Sequence, residues 1–173
     1  SRGLGDVYKR QGKGLAVDEI AALLDTAGFE NYLIEVGGEL RLRGYNINGE
    51  SWAIGVERPL TNERQPHTIV HLTDTALATS GDYRNFFEAG GQLYSHTIDT
   101  RTGRPVAHAL ASVTVIDPSG YRADALATAL LVMGPDKGMD FAVRKGIAAL
   151  FLSRDEAGIS EVATPAMGAL RGS

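Results

Sequence analysis

The stretch ADALATALLVMG at residues 123–134 decides the fold of this chain. Its alanine and leucine content favours a helix, and Gly134 followed by Pro135 ends that helix. At about 100° per residue one stripe is apolar, and the remaining face is apolar as well, so we expect burial on most sides. Asp124 and Thr128 lie one turn apart on the flank of this helix.

Asp124 and Thr128 have two explanations. A carboxylate in apolar surroundings needs hydrogen bonds or a counter-charge. An aspartate and a threonine hydroxyl one turn apart offer hard oxygens to a small cation such as Mg²⁺. Alternatively, Asp124 accepts hydrogen bonds from free backbone N–H groups in the first turn, and Thr128 donates to a carbonyl four residues earlier. The spacing alone favours this structural alternative.

The composition indicates an ordinary globular domain. The chain has 173 residues, of which 43% are hydrophobic and 22% charged, enough for one domain with a sizeable core. The net charge of -4 and the scattered basic residues argue against a nucleic-acid surface. There is no cysteine, which excludes disulfides, a thiol nucleophile and a thiolate metal site. No apolar run is long enough for a transmembrane segment.

The order of predicted elements favours an α+β fold with a mixed or antiparallel sheet and about three helices. No G-x-G-x-x-G follows a strand and no Walker loop is present, which excludes the two commonest nucleotide-binding folds. The predicted helices are residues 15–27, 123–133 and 135–145. The predicted strands are residues 32–36, 39–44, 51–57, 68–73, 76–79, 85–89, 92–99, 112–116 and 147–153. Of these, 68–73 and 76–79 form a pair or one bent strand, and 85–89 and 92–99 form a hairpin.

A second informative stretch is YSHTIDTRTGRP at residues 94–105. Taken alone, His96 on a strand is typical of a half-buried structural histidine. Asp99 and Arg101 in the following loop favour a catalytic role, because a neutral imidazole oriented by a carboxylate can take a proton from a hydroxyl. We expect the remaining histidines to be surface or loop residues: His67, His71 and His108.

Two glycine-containing stretches are candidates for anion binding. Ala78–Arg84 is predicted to be a small-residue turn whose backbone N–H groups meet a phosphate. Lys13, between Gly12 and Gly14, is predicted to open a helix and to add a cation to backbone amides. Taken singly, each stretch is more typical of an ordinary turn or loop than of an anion site.

These stretches, in this order, resemble the ApbE family, the FAD:protein FMN transferases. The resemblance covers about Gly12 to Ser153 and corresponds to the C-terminal part of a family member. We therefore interpret residues 12–173 as the C-terminal portion of an ApbE-like domain, and the aperiodic residues 1–11 as a non-native leader. The motifs that carry the resemblance are residues 12–18, 36–40, 78–84, 94–99, 101–103, 123–129 and 131–135.

The resemblance implies an ApbE-like fold and a Mg²⁺-dependent transfer of the FMN moiety of FAD to a Thr or Ser hydroxyl of a target protein, with release of AMP. By that resemblance Asp124 and Thr128 bind the metal. Lys13 and Ile98 contact the flavin nucleotide, and His96 activates the acceptor hydroxyl. Two alternatives stay open: a metal-dependent FAD pyrophosphatase, and a flavin-nucleotide binding module without turnover.

The sequence departs from the family pattern in two places. Thr100 stands where the family commonly has proline. Val7–Gln11 replaces a segment whose backbone carbonyl completes the family's metal site, and by count Arg10 occupies the carbonyl-donating position. The resemblance also implies FAD and an acceptor protein as partners, without nucleic acid. It places the protein in the periplasm or anchored on the outer side of the cytoplasmic membrane.

Overall fold

The computed structural model describes residues 4–59, 65–81, 86–89, 92–95, 98–99, 103–105, 108–155 and 158–171. The fold is α+β, as predicted. The helices of the described part are α1 (Leu4–Thr26), α2 (Gly120–Met133), α3 (Pro135–Arg144) and α4 (Pro165–Arg171). Its strands are β1 (Tyr32–Val36), β2 (Glu39–Arg43), β3 (Trp52–Glu57), β4 (Pro66–Leu72), β5 (Ala76–Gly81), β6 (Phe86–Ala89), β7 (Gln92–Ser95), β8 (Ile98–Asp99), β9 (Arg104–Pro105), β10 (Leu110–Asp117), β11 (Ala148–Asp155) and β12 (Gly158–Ala163).

A six-stranded sheet in the order β1-β2-β5-β10-β11-β12 forms the centre of the molecule. Neighbouring strands in it are antiparallel. Residues 110–116 of β10 are all buried, because both faces of the sheet are covered there. Three two-stranded sheets accompany it: β3 with β4, β6 with β7, and β8 with β9.

The sheet has a helical layer on one face and a β-hairpin with a short helix on the other. On the helical face α2 and α3 pack against alternate residues of the central strands, among them Val113 and Phe151. On the opposite face the β3–β4 hairpin and Met167 of α4 pack against residues such as Leu150. The long helix α1 contacts α2, β1 and β2, and Val17 is its most deeply buried residue. None of the helices in the described ranges is long and apolar enough to cross a membrane.

Helix α1 begins at Leu4 rather than at the predicted Leu15. The prediction used Gly12 and Gly14 as a helix start because glycine is a poor helix former. Both lie inside α1, where close packing against α2 compensates for this weak propensity at Gly14. The origin of residues 1–11 stays a prediction.

Strands β4 and β5 are neither a pair nor one bent strand. β4 pairs with β3, whereas β5 pairs with β2 and β10, so the chain changes sheets between them. Asp74 in this connection has φ 51, a left-handed conformation that aspartate tolerates better than most residues. The expected hairpin of residues 85–89 and 92–99 is confirmed where β6 pairs with β7. Residues 98–99 are not part of it, because they form β8 and pair with β9.

The predicted turn at Ala78–Arg84 is wrong over its first half. Residues 78–81 belong to β5 and pair with β10 along one edge of the strand. That their backbone N–H groups meet a phosphate stays a prediction. Residues 82–85 lie outside the described part. Beyond Arg154 the sequence pattern is too weak to predict β12 and α4, which the structure contains. The described residues therefore form four helices, one more than the approximately three expected.

Candidate functional site

A cavity of about 920 Å³ lies between α1, the β1–β2 hairpin, β3, β5 and α2. Lys13, Asp124 and Thr128 all line it. The fold therefore brings three of the five predicted site residues to one cavity, although Lys13 belongs to α1 and the other two to α2. A cavity of this size suits a ligand as large as a nucleotide.

Asp124 is 4% exposed, and its carboxylate Oδ2 accepts a hydrogen bond of 3.1 Å from the backbone N–H of Gly14. A backbone donor is what the structural alternative required, but this one comes from α1 and not from the first turn of α2. That first turn is capped by other groups. Asp18 accepts from the N–H groups of Gly120 and Tyr121, at 2.8 and 3.0 Å. Asp124 is therefore not the cap of α2, and it lines the cavity instead.

Two glycines allow α1 and α2 to approach this closely. A Cβ added at Gly14 would lie 2.4 Å from the carbonyl oxygen of Gly120 and 2.7 Å from the Cβ of Asp124. A Cβ at Gly120 would lie 2.5 Å from Val17 Cγ2. Such distances are far below van der Waals contact, so any side chain would separate the helices. The glycine that follows Lys13 therefore serves helix packing, and through it the placement of Asp124.

Thr128 contacts a second hydroxyl. Its Oγ1 lies 2.8 Å from Ser80 Oγ on β5, and both residues line the cavity. Ser80 is not among the predicted side-chain contributors, because the local sequence predicts a turn over residues 78–84 that acts through its backbone. Residues 76–81 do not alternate between apolar and polar types, so the local pattern contains no signal that places Ser80 on one face of a strand.

Glu39 is the second buried carboxylate of the cavity and was not predicted. It is 2% exposed, and its Oε1 accepts a hydrogen bond of 2.6 Å from Lys13 Nζ. Burial raises the pKa of Glu39 and the charge of Asp124 raises it further, while the bond and charge of Lys13 act in the opposite direction. The available signal was the alternation in residues 39–43, which places Glu39 and Arg41 on the face opposite Leu40 and Leu42.

The oxygen atoms on the α2 side of the cavity fit a hard divalent cation. A buried carboxylate from Asp124 and a hydroxyl from Thr128, with Ser80 beside it, are the donor types that Mg²⁺ prefers. The described residues contain no group of three His, Cys, Asp or Glu side chains that would bind a metal by themselves. Mg²⁺ usually keeps waters or substrate phosphates among its ligands, so two protein oxygens suffice in principle.

The side chains of the other two predicted site residues, His96 and Ile98, lie outside the described part of the structure. His96 lies outside the described residues. The backbone of Ile98 belongs to β8, which pairs with β9 and is in contact with α2. The strand that carries Ile98 therefore approaches the helix that carries Asp124 and Thr128.

The remaining histidines lie away from the cavity lining. Nε2 of His67 on β4 lies within hydrogen-bond distance of Glu161 on β12, 2.7 Å from Oε2. His71 is exposed, as predicted. His108 is in a loop, also as predicted, but its ring packs on Gly134, where an added Cβ would lie 3.0 Å from Cδ2.

Fold and site together define an α+β protein with a polar, nucleotide-sized cavity, in which a lysine stands opposite hard oxygen ligands. The model of the ApbE family matches residues 11–151. The chain belongs to the ApbE family.

Relatives with the same architecture are flavin transferases by name. The FAD:protein FMN transferase of Vibrio cholerae is 46% identical over 152 residues, which are 88% of this chain and 46% of that protein. The apo crystal structure of the Pseudomonas stutzeri flavinyl transferase ApbE has a TM-score of 0.83 at 43% identity, covering 95% of this chain and 51% of its own. A flavin transferase ApbE structure from Vibrio cholerae gives a TM-score of 0.80 at 42% identity, covering 91% and 50%. The chain spans about half the length of the relatives it matches.

Proposed function

We propose that this protein transfers the FMN moiety of FAD to a Thr or Ser hydroxyl of a target protein, with release of AMP and in dependence on Mg²⁺. The observation that carries the proposal is the meeting of Lys13, Asp124 and Thr128 in one cavity. They come from different parts of the sequence, and the family resemblance assigns them to the nucleotide and the metal. The names of the relatives support flavin transfer.

The proposed reaction replaces the phosphoanhydride bond of FAD with a phosphoester bond to the acceptor. The acceptor hydroxyl oxygen bonds to the flavin-side phosphorus of FAD, and the bond from that phosphorus to the bridging oxygen breaks. AMP leaves with the bridging oxygen, and His96 accepts the proton of the hydroxyl. Because the diphosphate is negatively charged, positive charge and hydrogen-bond donors near its oxygens lower the barrier.

Each proposed site residue has one task. Asp124 and Thr128 hold the metal ion, which when bound neutralises charge on the diphosphate oxygens. Lys13 donates to a phosphate oxygen and Ile98 contacts the flavin nucleotide. His96 is the general base, since imidazole has a suitable pKa near neutral pH.

The test is an assay of the complete protein with FAD, Mg²⁺ and an acceptor protein. We expect the acceptor to gain a covalent flavin and AMP to appear in equal amount. Unaltered flavinylation in His96→Ala or Asp124→Ala would refute the assigned roles. Formation of free FMN and AMP without an acceptor would instead identify a FAD pyrophosphatase, and FAD binding without AMP release would identify a binding module.

By the same resemblance we propose that the protein acts outside the cytoplasmic membrane. Fractionation of cells that express the complete protein tests this placement. Recovery in the cytosolic fraction would contradict it.

A further inference from the structure

The β1–β2 hairpin turn is part of the resemblance but carries no role in the reaction described above. We propose that Gly37, Gly38 and Glu39 form a lysine cradle that directs the ammonium of Lys13 towards a phosphate of the bound nucleotide, with Glu39 as a positioning residue. The inference rests on the proposed function, because the phosphate is that of FAD. It adds a task for a buried carboxylate to which the family resemblance assigns none.

The position of Lys13 Nζ is set by two acceptors of the hairpin. Its distance to Glu39 Oε1 is 2.6 Å and to the carbonyl oxygen of Gly37 is 3.2 Å. Glu39 Oε2 is also 2.6 Å away, but it has no hydrogen bond within the described residues and contributes by charge. A lysine ammonium has three protons. Two are directed to the cradle, and the third is left for a ligand in the cavity that Lys13 lines.

The hairpin backbone also makes room for the lysine stem. Gly37 has φ +59, and a Cβ there would lie 2.9 Å from Lys13 Cδ. Gly38 has φ +96, and nothing lies within 4 Å of its added Cβ. Both positions favour glycine, but only Gly37 is in contact with Lys13. The φ of Gly37 lies within the left-handed region that an L residue can adopt, whereas the φ of Gly38 lies outside it. Alanine at Gly38 therefore carries at least as much backbone strain as alanine at Gly37, but does not meet the lysine.

The two partners of this ion pair differ in burial, and Glu39 depends on the pair more than Lys13 does. A carboxylate that is 2% exposed needs a counter-charge, whereas the Lys13 side chain is 41% exposed and reaches the cavity. Because Glu39 cancels much of the lysine's charge, the pair offers a phosphate a hydrogen bond from a defined point. Loss of Glu39 leaves the ammonium charged but unrestrained, and an exposed lysine stem has many rotamers to occupy.

The first experiment measures the position of Lys13 without any nucleotide. Amines of the full chain are acylated with N-hydroxysuccinimidyl acetate, and the rate at each lysine is followed by mass spectrometry. We expect Lys13 to react about tenfold faster in Glu39→Gln and in Gly37→Ala, the change that corresponds to one hydrogen bond to a charged group. Lys137 and Lys145, both exposed, are the internal standards.

Gly38→Ala is the control for backbone strain. We expect it to leave the Lys13 rate within about twofold of wild type, while its thermal unfolding shifts at least as much as that of Gly37→Ala, since φ +96 is less accessible to an L residue than φ +59. Equal Lys13 rates in wild type, Glu39→Gln and Gly37→Ala would overturn the cradle. Equal acceleration in Gly37→Ala and Gly38→Ala would do the same.

The second experiment connects the cradle with the nucleotide through a double-mutant cycle on FAD affinity. We expect Glu39→Gln to weaken FAD binding about tenfold when Lys13 is present, and by less than about twofold in the Lys13→Met background. An equal loss in both backgrounds would show that Glu39 acts independently of the lysine. Tighter binding by Glu39→Gln would show that Glu39 only competes with the ligand, and either result would overturn the proposal.

The two experiments separate the failure of the cradle from the failure of the proposed function. If wild type does not bind FAD, the proposed function fails for this chain. The acylation rates then still decide whether Glu39 and Gly37 position Lys13. If FAD binds and the acylation rates do not change, the proposed function stands and the cradle does not.

Discussion

The two buried carboxylates of the cavity are positioned by different kinds of donor. Asp124 on α2 accepts from a backbone N–H of α1, that of Gly14. Glu39 on β2 accepts from the side chain of Lys13, one residue earlier on the same helix. The first donor is neutral and moves only with its helix, whereas the second is charged and lies at the end of a flexible stem.

Helix α1 therefore positions both sides of the cavity through adjacent residues, but the two contacts differ in stiffness. We call the side with Asp124, Thr128 and Ser80 the α2 wall, and the side with Gly37, Gly38 and Glu39 the hairpin wall. At the α2 wall, geometry depends on close helix packing, so changes there alter the fold together with the site. At the hairpin wall, geometry depends on a side-chain ion pair, so changes there alter ligand placement with less effect on the fold. The following predictions test this distinction in order of expected effect.

The largest effect is expected for Asp124→Asn. The amide keeps the shape of the side chain but removes the charge that a metal ion would need, so FMN transfer by the complete protein should fall on the order of 100-fold or more. The rate should also become less dependent on Mg²⁺. Asp136→Asn, at an exposed position of α3, is the matched control and should keep its activity. An unchanged rate of FMN transfer in Asp124→Asn would show that the reaction does not need the charge of Asp124.

Gly14→Ala should disrupt the α2 wall through packing. The new methyl would meet the Gly120 carbonyl at 2.4 Å, and overpacking of this kind costs about 1–3 kcal/mol of unfolding free energy. Gly12→Ala in the same helix has nothing within 4 Å of the added carbon. It should stabilise the protein by about 0.5–1 kcal/mol through helix propensity. Urea unfolding of both variants measures the contrast, and changes of the same sign would contradict the close helix contact.

Ser80→Ala should have a smaller effect on the α2 wall. It removes the hydroxyl that lies 2.8 Å from Thr128 Oγ1, and a single hydrogen bond contributes about 0.5–1.5 kcal/mol. We expect the transfer rate at limiting Mg²⁺ to fall several-fold, in line with that energy, and saturating Mg²⁺ to restore part of it. Ser160→Ala on the exposed β12 is the control. An unchanged Mg²⁺ response would show that Ser80 does not orient Thr128.

The smallest expected effect is the pH dependence of stability that Glu39 contributes at the hairpin wall. Burial raises the pKa of Glu39 above its ordinary 4.5, so the folded protein binds this proton more readily than the unfolded chain. The unfolding free energy of wild type should therefore fall relative to Glu39→Gln as pH rises through the range above 4.5. Urea unfolding of both proteins at several pH values measures the difference.

Glu161 provides the opposite slope as a control. Burial opposes its ionisation, but hydrogen bonds from Arg171 and His67 outweigh burial and lower the pKa of Glu161 below 4.5. Folding favours its charged form, so wild type should gain stability relative to Glu161→Gln as pH rises through the range below 4.5. If the stability difference between wild type and variant changed with pH in the same direction for both carboxylates, the direction of the pKa shift would be wrong for at least one of them.

Local patterns predicted much of the helical wall and little of the hairpin wall. The period of residues 123–134 was sufficient to predict a buried helix with Asp124 and Thr128 on one flank, and the cavity lining agrees. Alternation in residues 39–43 predicts which residues share a face. It does not predict that Glu39 meets Lys13, because that contact depends on how α1 crosses the sheet.

Contacts between distant residues account for the remaining errors. Asp18 caps α2 across 102 positions of sequence, and no local signal links it to Gly120. Gly14 was interpreted as a loop glycine because its partner helix is not visible in the local sequence. Ser80 was placed in a turn because its strand is short and its residues are small. Each error concerns a tertiary neighbour that propensity does not encode.

The hydrogen bond between Gly14 and Asp124 joins residues 110 positions apart. During synthesis α1 emerges long before α2, and chains grow by only about 5–20 residues per second. The ligand pocket therefore does not exist in a nascent chain until the second helix has left the ribosome. A released, incomplete polypeptide would carry the lysine without the aspartate, and we expect it neither to sequester flavin nor to be rescued by it.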